Sequence, residues 1–337
     1  MLSVLETLPA GFLDAPAREL YRLLPGPSLI HLPGRRKEPL FVCVLLHGNE
    51  DTGFKAMQTV LRKHQGRALP RALSLFVGNV AAAREGLRRL EQQPDYNRVW
   101  PGADTGGQLE HAMMDTVTAQ MRSRSVFASI DIHNNTGFNP HYGCVNRLDP
   151  PFLQLATLFS RTVVYFKRPL GVQSEAFASL CPAVTLECGK PGNQSGETHA
   201  VAFVEAALHL AEFSQRPVPA RDLDLFHTVG VVRVAPEVTF GFEPNDSQLR
   251  LEPDLDHMNF RELPAGTRFG LATDSCAAPL QVIDEHGSRV EDQFFELKRG
   301  EVLLKRSTMP AMLTTDARIV RQDCLCYLME RLVLENG

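Results

Sequence analysis

The 337-residue sequence lacks any apolar run long enough to cross a membrane, since no stretch approaches about 18 consecutive apolar residues. Its first residues, MLSVLETLPAGFLDAP, include neither a basic region nor a long apolar core, so we expect no signal peptide. Charge excess is also small: 35 Lys and Arg face 39 Asp and Glu, a formal net charge of −4. This balance gives no electrostatic reason to expect nucleic acid or an anionic membrane as a partner.

The sequence has no cysteine pattern typical of a disulfide scaffold or a zinc-binding module. Its seven cysteines are odd in number and lie mostly in apolar segments. Cys324 and Cys326 have the wrong spacing for a zinc knuckle, and no second pair accompanies them. Buried, reduced thiols in a cytoplasmic protein are the interpretation that this usage favours.

Two domains are predicted, because the chain exceeds the roughly 250–300 residues at which a single core stops growing. Short apolar runs alternate with amphipathic segments over residues 1–217, which is typical of an α/β domain whose sheet is covered by helices. The predicted strands are 39–46, 73–80, 126–133, 162–166 and 183–188. The predicted helices are 53–65, 109–123, 151–160 and 198–215, the last with Thr198 as N-cap. Short strands punctuated by turns then predict a smaller β-rich domain over residues 218–337.

Polar residues collect where the predicted strands end. His47 and Glu50 follow the first strand in FVCVLLHGNEDTG, His133 ends the third in SIDIHNNTG, and Glu187 ends the last in TLECGKPG. Ligands of open α/β sheets bind outside the carboxyl ends of the strands. We therefore expect these four side chains to lie near one another.

Two histidines and one carboxylate are the ligands of a catalytic zinc site, which keeps one position open. The sequence thus predicts one zinc ion per chain, bound by His47, Glu50 and His133. Asp131 lies on the same side of its strand as His133 and could hydrogen-bond the outer nitrogen of a ligand histidine. Glu187 would stay unligated and accept a proton from water whose pKa the metal lowers to about 7.

Each of these features has a purely structural alternative. His47 and Glu50 alone could be a surface pair at a helix start, Asp131 and His133 a satisfied pair at a strand end, and Glu187 a helix cap. Their occurrence at one predicted sheet edge favours the metal site. His141, in NPHYG, competes with His133 as third ligand, but it lies in a loop beyond the strand.

In order along the chain, HGNE (47–50), GN (78–79), DYNR (95–98), DIH (131–133) and LECG (186–189) resemble the motifs of the aspartoacylase and succinylglutamate desuccinylase family. That family is related to the zinc carboxypeptidases, and the resemblance covers about residues 38 to 215. It implies a zinc-carboxypeptidase-like domain with a mixed sheet covered by helices, followed by a smaller β-rich C-terminal domain.

The resemblance also implies roles for residues outside the metal site. Glu187 would be the general base and then the acid that protonates the leaving amine, and Asn97 and Arg98 would hold a substrate carboxylate. An arginine that polarises the scissile carbonyl would be Arg89, or Arg88 if the loop carries two inserted residues. The sequence departs from the family pattern at positions that are usually proline, where it has Val80 and Lys190, and in the longer loop that carries this arginine.

The predicted function is that of a cytoplasmic zinc-dependent amidohydrolase that cleaves the amide bond of an N-acyl amino acid or a similar small carboxylate. A zinc carboxypeptidase that acts on peptides is one alternative. A non-catalytic metal-binding or ligand-binding protein is another, although retention of Glu187 counts against it. The sequence leaves open the acyl group, the amino acid and the oligomeric state.

Overall fold

The chain forms two compact units in the computed structural model, which describes residues 1–104, 107–244 and 246–334. The first unit comprises Met1–Asn134, His141–Tyr165 and Pro169–Asp224. The second comprises Asn135–Pro140, Phe166–Arg168 and the chain from Leu225 onward. The predicted domain boundary between residues 217 and 218 stays a prediction, and the last three residues of that predicted second domain, 335–337, lie outside the described residues.

A mixed β-sheet forms the centre of the first unit. Its strands within the described residues are β1 (Ser3–Leu5), β2 (Ser28–Leu32), β3 (Gly34–Val44), β4 (Leu69–Val77), β5 (Ala128–His133), β6 (Tyr142–Val145), β7 (Thr162–Tyr165) and β8 (Ala183–Glu187). Their order is β1-β2-β4-β3-β5-β8-β6-β7. The central strands β4, β3, β5 and β8 are parallel, whereas β2 pairs antiparallel with β4, and β6 with β8. This arrangement confirms the predicted α/β class with a mixed sheet.

The central strands are covered on both faces. Every residue of β5 and β8 is buried, and so are the last six residues of β3. Because successive side chains of a strand point to opposite faces, an unbroken run of buried residues requires cover on each side. The helices of this unit are α1 (Thr52–Lys63), α2 (Val80–Glu85), α3 (Leu109–Ser123), α4 (Pro150–Phe159), α5 (Gln173–Phe177) and α6 (Gln194–His209), and a 3-10 turn spans Ala17–Arg22.

Helix α6 differs from its prediction at both ends. It begins after Asn193, whose side chain accepts a hydrogen bond from the backbone N–H of Ser195, so the predicted cap at Thr198 is wrong. It ends at His209 instead of residue 215. There the fully buried Arg71 donates a 2.9 Å hydrogen bond to the carbonyl oxygen of Leu210. A terminal carbonyl satisfied by a guanidinium no longer needs a further helical turn.

The second unit is rich in short strands, which confirms the predicted β-rich C-terminal part. Its described strands are β9 (Asp224–Val234), β10 (Phe240–Gly241), β11 (Leu249–Leu251), β12 (Arg268–Ala272), β13 (Leu280–Ile283), β14 (Phe295–Lys298), β15 (Glu301–Leu304), β16 (Met309–Ala311) and β17 (Cys326–Arg331). Two short helices, α7 (Glu291–Phe294) and α8 (Ala317–Gln322), and a 3-10 turn at Leu255–Met258 accompany them, and a further 3-10 turn, Ala220–Asp222, lies at the end of the first unit. Strands β10-β11-β12-β15-β14 form one five-stranded sheet, and β9 pairs with β13 and β17. Phe269, Leu304 and Leu325 lie in the core of this unit.

Two expectations drawn from composition can be compared with the structure. All seven cysteine side chains are buried and free of disulfide bonds, as predicted. Within the described residues, none of the helices has both the length and the apolar character that crossing a bilayer requires.

Candidate functional site

The strand β3 ends three residues before His47 in a strained turn. Leu45 adopts a φ of 56°, in the left-handed region that costs a non-glycine residue roughly 1–2 kcal/mol. Its carbonyl oxygen accepts a 2.6 Å hydrogen bond from Asn79 N, and the carbonyl oxygen of Val44 accepts one of 3.0 Å from Gly78 N. These two bonds hold the turn that carries His47 beyond the carboxyl edge of the sheet.

Three buried side chains that could hold a metal ion converge at this edge. His47, Glu50 and His133 each offer one ligand atom, and these atoms all lie within 4.8 Å of one another. Nδ1 of His47 lies 2.8 Å from Oε1 of Glu50, and Nδ1 of His133 lies 2.8 Å from Oε2. Two imidazole nitrogens and one carboxylate oxygen are the donors that bind catalytic zinc at about 2.0–2.2 Å. The residues present therefore fit a zinc ion.

The electrostatics of the group favour a cation. Burial acts to raise the pKa of Glu50, but His47 and His133 outweigh it and lower that pKa, so the carboxyl group is ionised. Burial acts to lower the pKa of His133, but Asp131 and Glu50 outweigh it and raise that pKa well above its usual value. Negative charge thus draws a positive charge to this position, and a divalent ion that binds His133 displaces a proton from the ring.

Each of the two histidines has a carboxylate on its outer nitrogen. Asp131 Oδ2 lies 2.8 Å from Nε2 of His133, the arrangement that the sequence predicts for Asp131. Asp95 Oδ1 lies 3.0 Å from Nε2 of His47. Such hydrogen bonds fix the tautomer and direct the opposite nitrogen toward the ligand position. Sequence reasoning assigned no role to Asp95, although the DYNR motif contains it.

Asp95 also holds one of the two candidate arginines. Its Oδ2 accepts hydrogen bonds of 3.2 and 2.9 Å from Nε and Nη2 of Arg88. Arg88 is buried, and its Nη1 lies 3.6 Å from Oε1 of Glu50. Arg89 instead donates from Nη1 to the backbone oxygen of Gln93 at 2.8 Å. The structure therefore brings Arg88 next to the candidate ligands, and the side chain of Arg89 binds the loop backbone.

Asn97 and Arg98 lie beside His133. The amide oxygen of Asn97 accepts a 2.9 Å hydrogen bond from Gln173 N, and its Nδ2 lies 3.3 Å from Nε2 of His133. A backbone N–H can only donate, so it fixes which end of the Asn97 amide is oxygen. Arg98 is half-buried, and its Nη1 donates to the backbone oxygen of Asn97 at 2.8 Å. One of its partners is thus the main chain of the neighbouring site residue.

Glu187 is the last residue of β8 and is 4% exposed. In the parallel pair of β5 and β8 it is the register partner of His133, and in the antiparallel pair with β6 it is the partner of Tyr142. The predicted base and the predicted third ligand are thus neighbours across one pair of strands.

Asn134, which sequence reasoning did not single out, connects three segments of the site. Its Oδ1 accepts a 3.3 Å hydrogen bond from Thr52 N at the start of α1, and its Nδ2 donates to the backbone oxygen of Gly189 at 2.8 Å. Its own N–H donates to Oε2 of Glu50 at 3.1 Å. The residue therefore fixes the segment that follows Glu187 relative to the metal-ligand segment.

His141, the competing ligand, belongs to a different cluster. Its ring centroid lies 5.1 Å from that of His199 and 6.2 Å from that of Phe159. Within the described residues the group of converging metal-ligand atoms does not include it. Of the two candidates, the structure places His133 with His47 and Glu50.

Two motif glycines are required by close backbone approach. A Cβ atom on Gly48 would lie 2.2 Å from Ala83 N, and one on Gly78 would lie 2.9 Å from the carbonyl oxygen of Leu45. Asn79 then caps α2 by accepting a hydrogen bond from Ala82 N. Val80 is the first residue of that helix, a position where proline is favoured but not needed, so the departure from the family pattern leaves the fold intact.

Comparison with solved structures gives the same architecture over most of the chain. Succinylglutamate desuccinylase from Chromobacterium violaceum is 17% identical, with 89% of this chain and 87% of that chain covered and a TM-score of 0.55. The corresponding structure from Vibrio parahaemolyticus is 13% identical, with 88% and 82% covered and a TM-score of 0.59. Murine aminoacylase 3 is 14% identical, with 88% and 95% covered and a TM-score of 0.53. At these identities the likeness shows the fold.

Comparison by sequence identifies the family. A search of curated proteins found no match. The family described as "Succinylglutamate desuccinylase/Aspartoacylase catalytic domain" matches residues 38–213, which is just over half of the chain. The matched region begins just before the buried part of β3 and contains His47, Glu50, His133 and Glu187. The chain therefore belongs to the succinylglutamate desuccinylase/aspartoacylase family, as its motifs predict.

Proposed function

We propose that this protein is a zinc-dependent amidohydrolase that removes the acyl group from an N-acyl amino acid or a similar small carboxylate. The convergence of His47, Glu50 and His133 within 4.8 Å carries the proposal, because three such donors with one position left open are the ligand set of a catalytic zinc ion. Family membership supports the same reaction class, since the similar structures include succinylglutamate desuccinylases and an aminoacylase. A cytoplasmic location is part of the proposal.

One zinc ion per chain would be held by His47, Glu50 and His133. When bound there, it would polarise the amide carbonyl and make water acidic enough to lose a proton near neutral pH. Asp131 and Asp95 would keep the two rings in the orientation that presents Nδ1, since each binds the opposite ring nitrogen.

Glu187 would move the proton. It is buried beside His133 in the strand register, and two histidines and Glu50 complete the ligand set without it. A carboxylate in this position can take a proton from water and then give it to the leaving amine nitrogen. This role separates an enzyme from a protein that only binds metal or ligand.

Arg88 would stabilise negative charge on the carbonyl oxygen. Its guanidinium is fixed by two hydrogen bonds to Asp95 and lies 3.6 Å from a carboxylate oxygen of Glu50, so it is already oriented at the candidate metal site. Preorganised donors of this kind are usually the largest single contribution to catalysis. We therefore assign to Arg88 the role that the family pattern left open between Arg88 and Arg89.

Asn97 and Arg98 would bind the substrate carboxylate. The oxygen of the Asn97 amide is held by Gln173 N, which leaves its NH2 group to donate. Arg98 supplies a planar fork that matches a carboxylate. Together they explain why a small acid is the proposed substrate class.

The test is a coupled-amine screen of N-acyl amino acids and short peptides, run on protein of measured zinc content. We expect the wild-type protein to release free amine from an N-acyl amino acid. Chelation should abolish this activity and added zinc should restore it. The Glu187→Gln variant should not release amine. Cleavage of peptides alone would replace the proposal with a carboxypeptidase. Zinc binding without turnover of any member of the panel would favour the non-catalytic alternative.

A further inference from the structure

A second cavity lies in the first unit at the opposite edge of the sheet. Its volume is about 620 Å³, within the range of about 300–1,000 Å³ that is usual for small-molecule sites. It is lined at the amino ends of β3 and β4 by Gly34 and Leu69, whereas His47 follows the carboxyl end of β3. The ten steps from the first to the last of the 11 residues of β3 separate the two sites by about 33 Å, at about 3.3 Å per step. The cavity is therefore not part of the candidate active site.

The walls of this distal cavity are mostly apolar and are held in place. Phe12, Leu61 and Leu69 are buried residues of its lining. Nε2 of Gln58 on α1 donates 2.8 Å hydrogen bonds to the carbonyl oxygens of Phe12 and Ala15. These two bonds fix the N-terminal segment against the helix, so the cavity is a built feature of the fold.

Two positive side chains at the distal cavity have no carboxylate partner within the described residues. Arg35 and Arg67 line it and are exposed. Within the part of the chain that the structure describes, neither guanidinium has a carboxylate oxygen within 4.0 Å. Asp14, the carboxylate of the lining, lies 3.5 Å from Nη2 of Arg62. As far as the described residues go, two arginines at one apolar cavity thus lack a carboxylate partner in a chain whose net charge is −4.

We propose that the distal cavity binds a small amphipathic anion, namely an aliphatic carboxylate. The two guanidinium groups of Arg35 and Arg67 suit a carboxylate head, which a planar fork can bind by two parallel hydrogen bonds. The leucine-rich walls suit an aliphatic chain. Phe12 and His64 are the aromatic rings of the described lining, and Nε2 of His64 is already bound to Glu205 at 3.2 Å, so a sugar or a nucleotide base would find few open hydrogen-bonding groups there.

The proposal is tested by calorimetric titration of the zinc-loaded full chain with octanoate at low ionic strength. We expect a Kd of about 10⁻⁴ to 10⁻³ M, as an efficient ligand of this size allows. Octylammonium, which has the same chain and the opposite charge, should give no binding heat. Acetate, which has the head without the chain, should bind at least about tenfold more weakly. No measurable octanoate binding, or equal affinity for octylammonium, would overturn the proposal.

Substitutions test whether octanoate binds at the distal cavity. Arg35→Glu combined with Arg67→Glu should weaken octanoate binding at least about tenfold, whereas Arg318→Glu, at another exposed position and in the second unit, should leave the Kd unchanged. Ala68→Trp fills the cavity from a loop position without removing a charge and should abolish binding. Arg98→Ala, near the candidate metal site, should leave the Kd for octanoate unchanged. Loss of binding in Arg98→Ala with retention in Ala68→Trp would show that octanoate occupies the candidate active site and would refute the distal site.

Discussion

Replacing Asp95 with asparagine removes one buried charge that serves two site residues. Asp95 binds Nε2 of His47 at 3.0 Å and Arg88 at 3.2 and 2.9 Å. An asparagine has the same shape but a single acceptor oxygen, so its NH2 group must face a donor of either His47 or Arg88. In the first case His47 loses the group that sets its tautomer, and in the second Arg88 loses a hydrogen bond from its main counter-charge. Either consequence is measurable.

The size of the effect follows from burial. Removing one partner of a buried ion pair costs about 3–5 kcal/mol, and the side chains of Arg88 and Asp95 are 8% and 10% exposed. Glu50, whose Oε1 lies 3.6 Å from Nη1 of Arg88, keeps part of the compensation. We therefore expect Asp95→Asn to lower the free energy of unfolding of the metal-free protein by about 2–4 kcal/mol. Loss of an outer carboxylate should weaken zinc binding by about 10–100-fold.

Two assays and one control separate these effects. Zinc affinity is measured by competition with a fluorescent chelator, and stability by denaturant titration in the presence of excess chelator. Asp149→Asn is the matched control, because Asp149 makes a hydrogen bond to Arg147 but is 47% exposed. It should leave zinc affinity unchanged and alter the free energy of unfolding by less than about 1 kcal/mol. An Asp95→Asn protein with wild-type zinc affinity and wild-type stability would show that Asp95 neither orients His47 nor neutralises Arg88.

Five further substitutions test individual roles. His133→Ala should lose zinc in elemental analysis, and full occupancy in a folded variant would contradict its role as ligand. Glu187→Gln should keep zinc and melting temperature while kcat falls by about 10²–10⁴-fold, so near wild-type kcat would refute the proton-transfer role. Arg88→Ala should lower kcat by at least about 10²-fold whereas Arg89→Ala should change it little, and the reverse order would return the carbonyl-polarising role to Arg89. Arg98→Lys keeps the charge but loses the fork, so kcat/KM should fall far more for carboxylate substrates than for neutral amide analogues, and equal losses would count against a carboxylate clamp.

The parts of the fold that the sequence predicts well are those with a strong local pattern. The predicted helix 109–123 coincides with α3, and β5 falls within the predicted strand 126–133. The short strands β2 and β6 are not predicted, because His31 interrupts the apolar run of β2 and Gly143 interrupts that of β6. Helix α6 begins at the cap formed by Asn193, which a local sequence pattern could reveal. It ends where Arg71, a residue more than a hundred positions away, binds its last turn, and no local pattern predicts that contact.

Some residues of the candidate site could likewise be predicted from the sequence, and others could not. His47, Glu50 and His133 could be predicted because each follows a recognisable strand, and the carboxyl edge of a parallel sheet brings such positions together. Asp95 and Arg88 lie in an irregular loop, where spacing alone does not determine which side chains meet. The sequence accordingly does not determine which of Arg88 and Arg89 lies beside Glu50.

The separation of the candidate ligands along the chain has a consequence for folding kinetics. Glu50 and His133 are 83 positions apart, and they meet only after β3 and β5 have paired side by side. A metal site assembled from such distant segments is absent from early folding species, because closing long loops precedes any contact between them. A bound ion would then stabilise the native state without stabilising the folding transition state. It would slow unfolding and leave the refolding rate nearly unchanged, so chelation of the metal would shorten the lifetime of the folded state without hindering its formation.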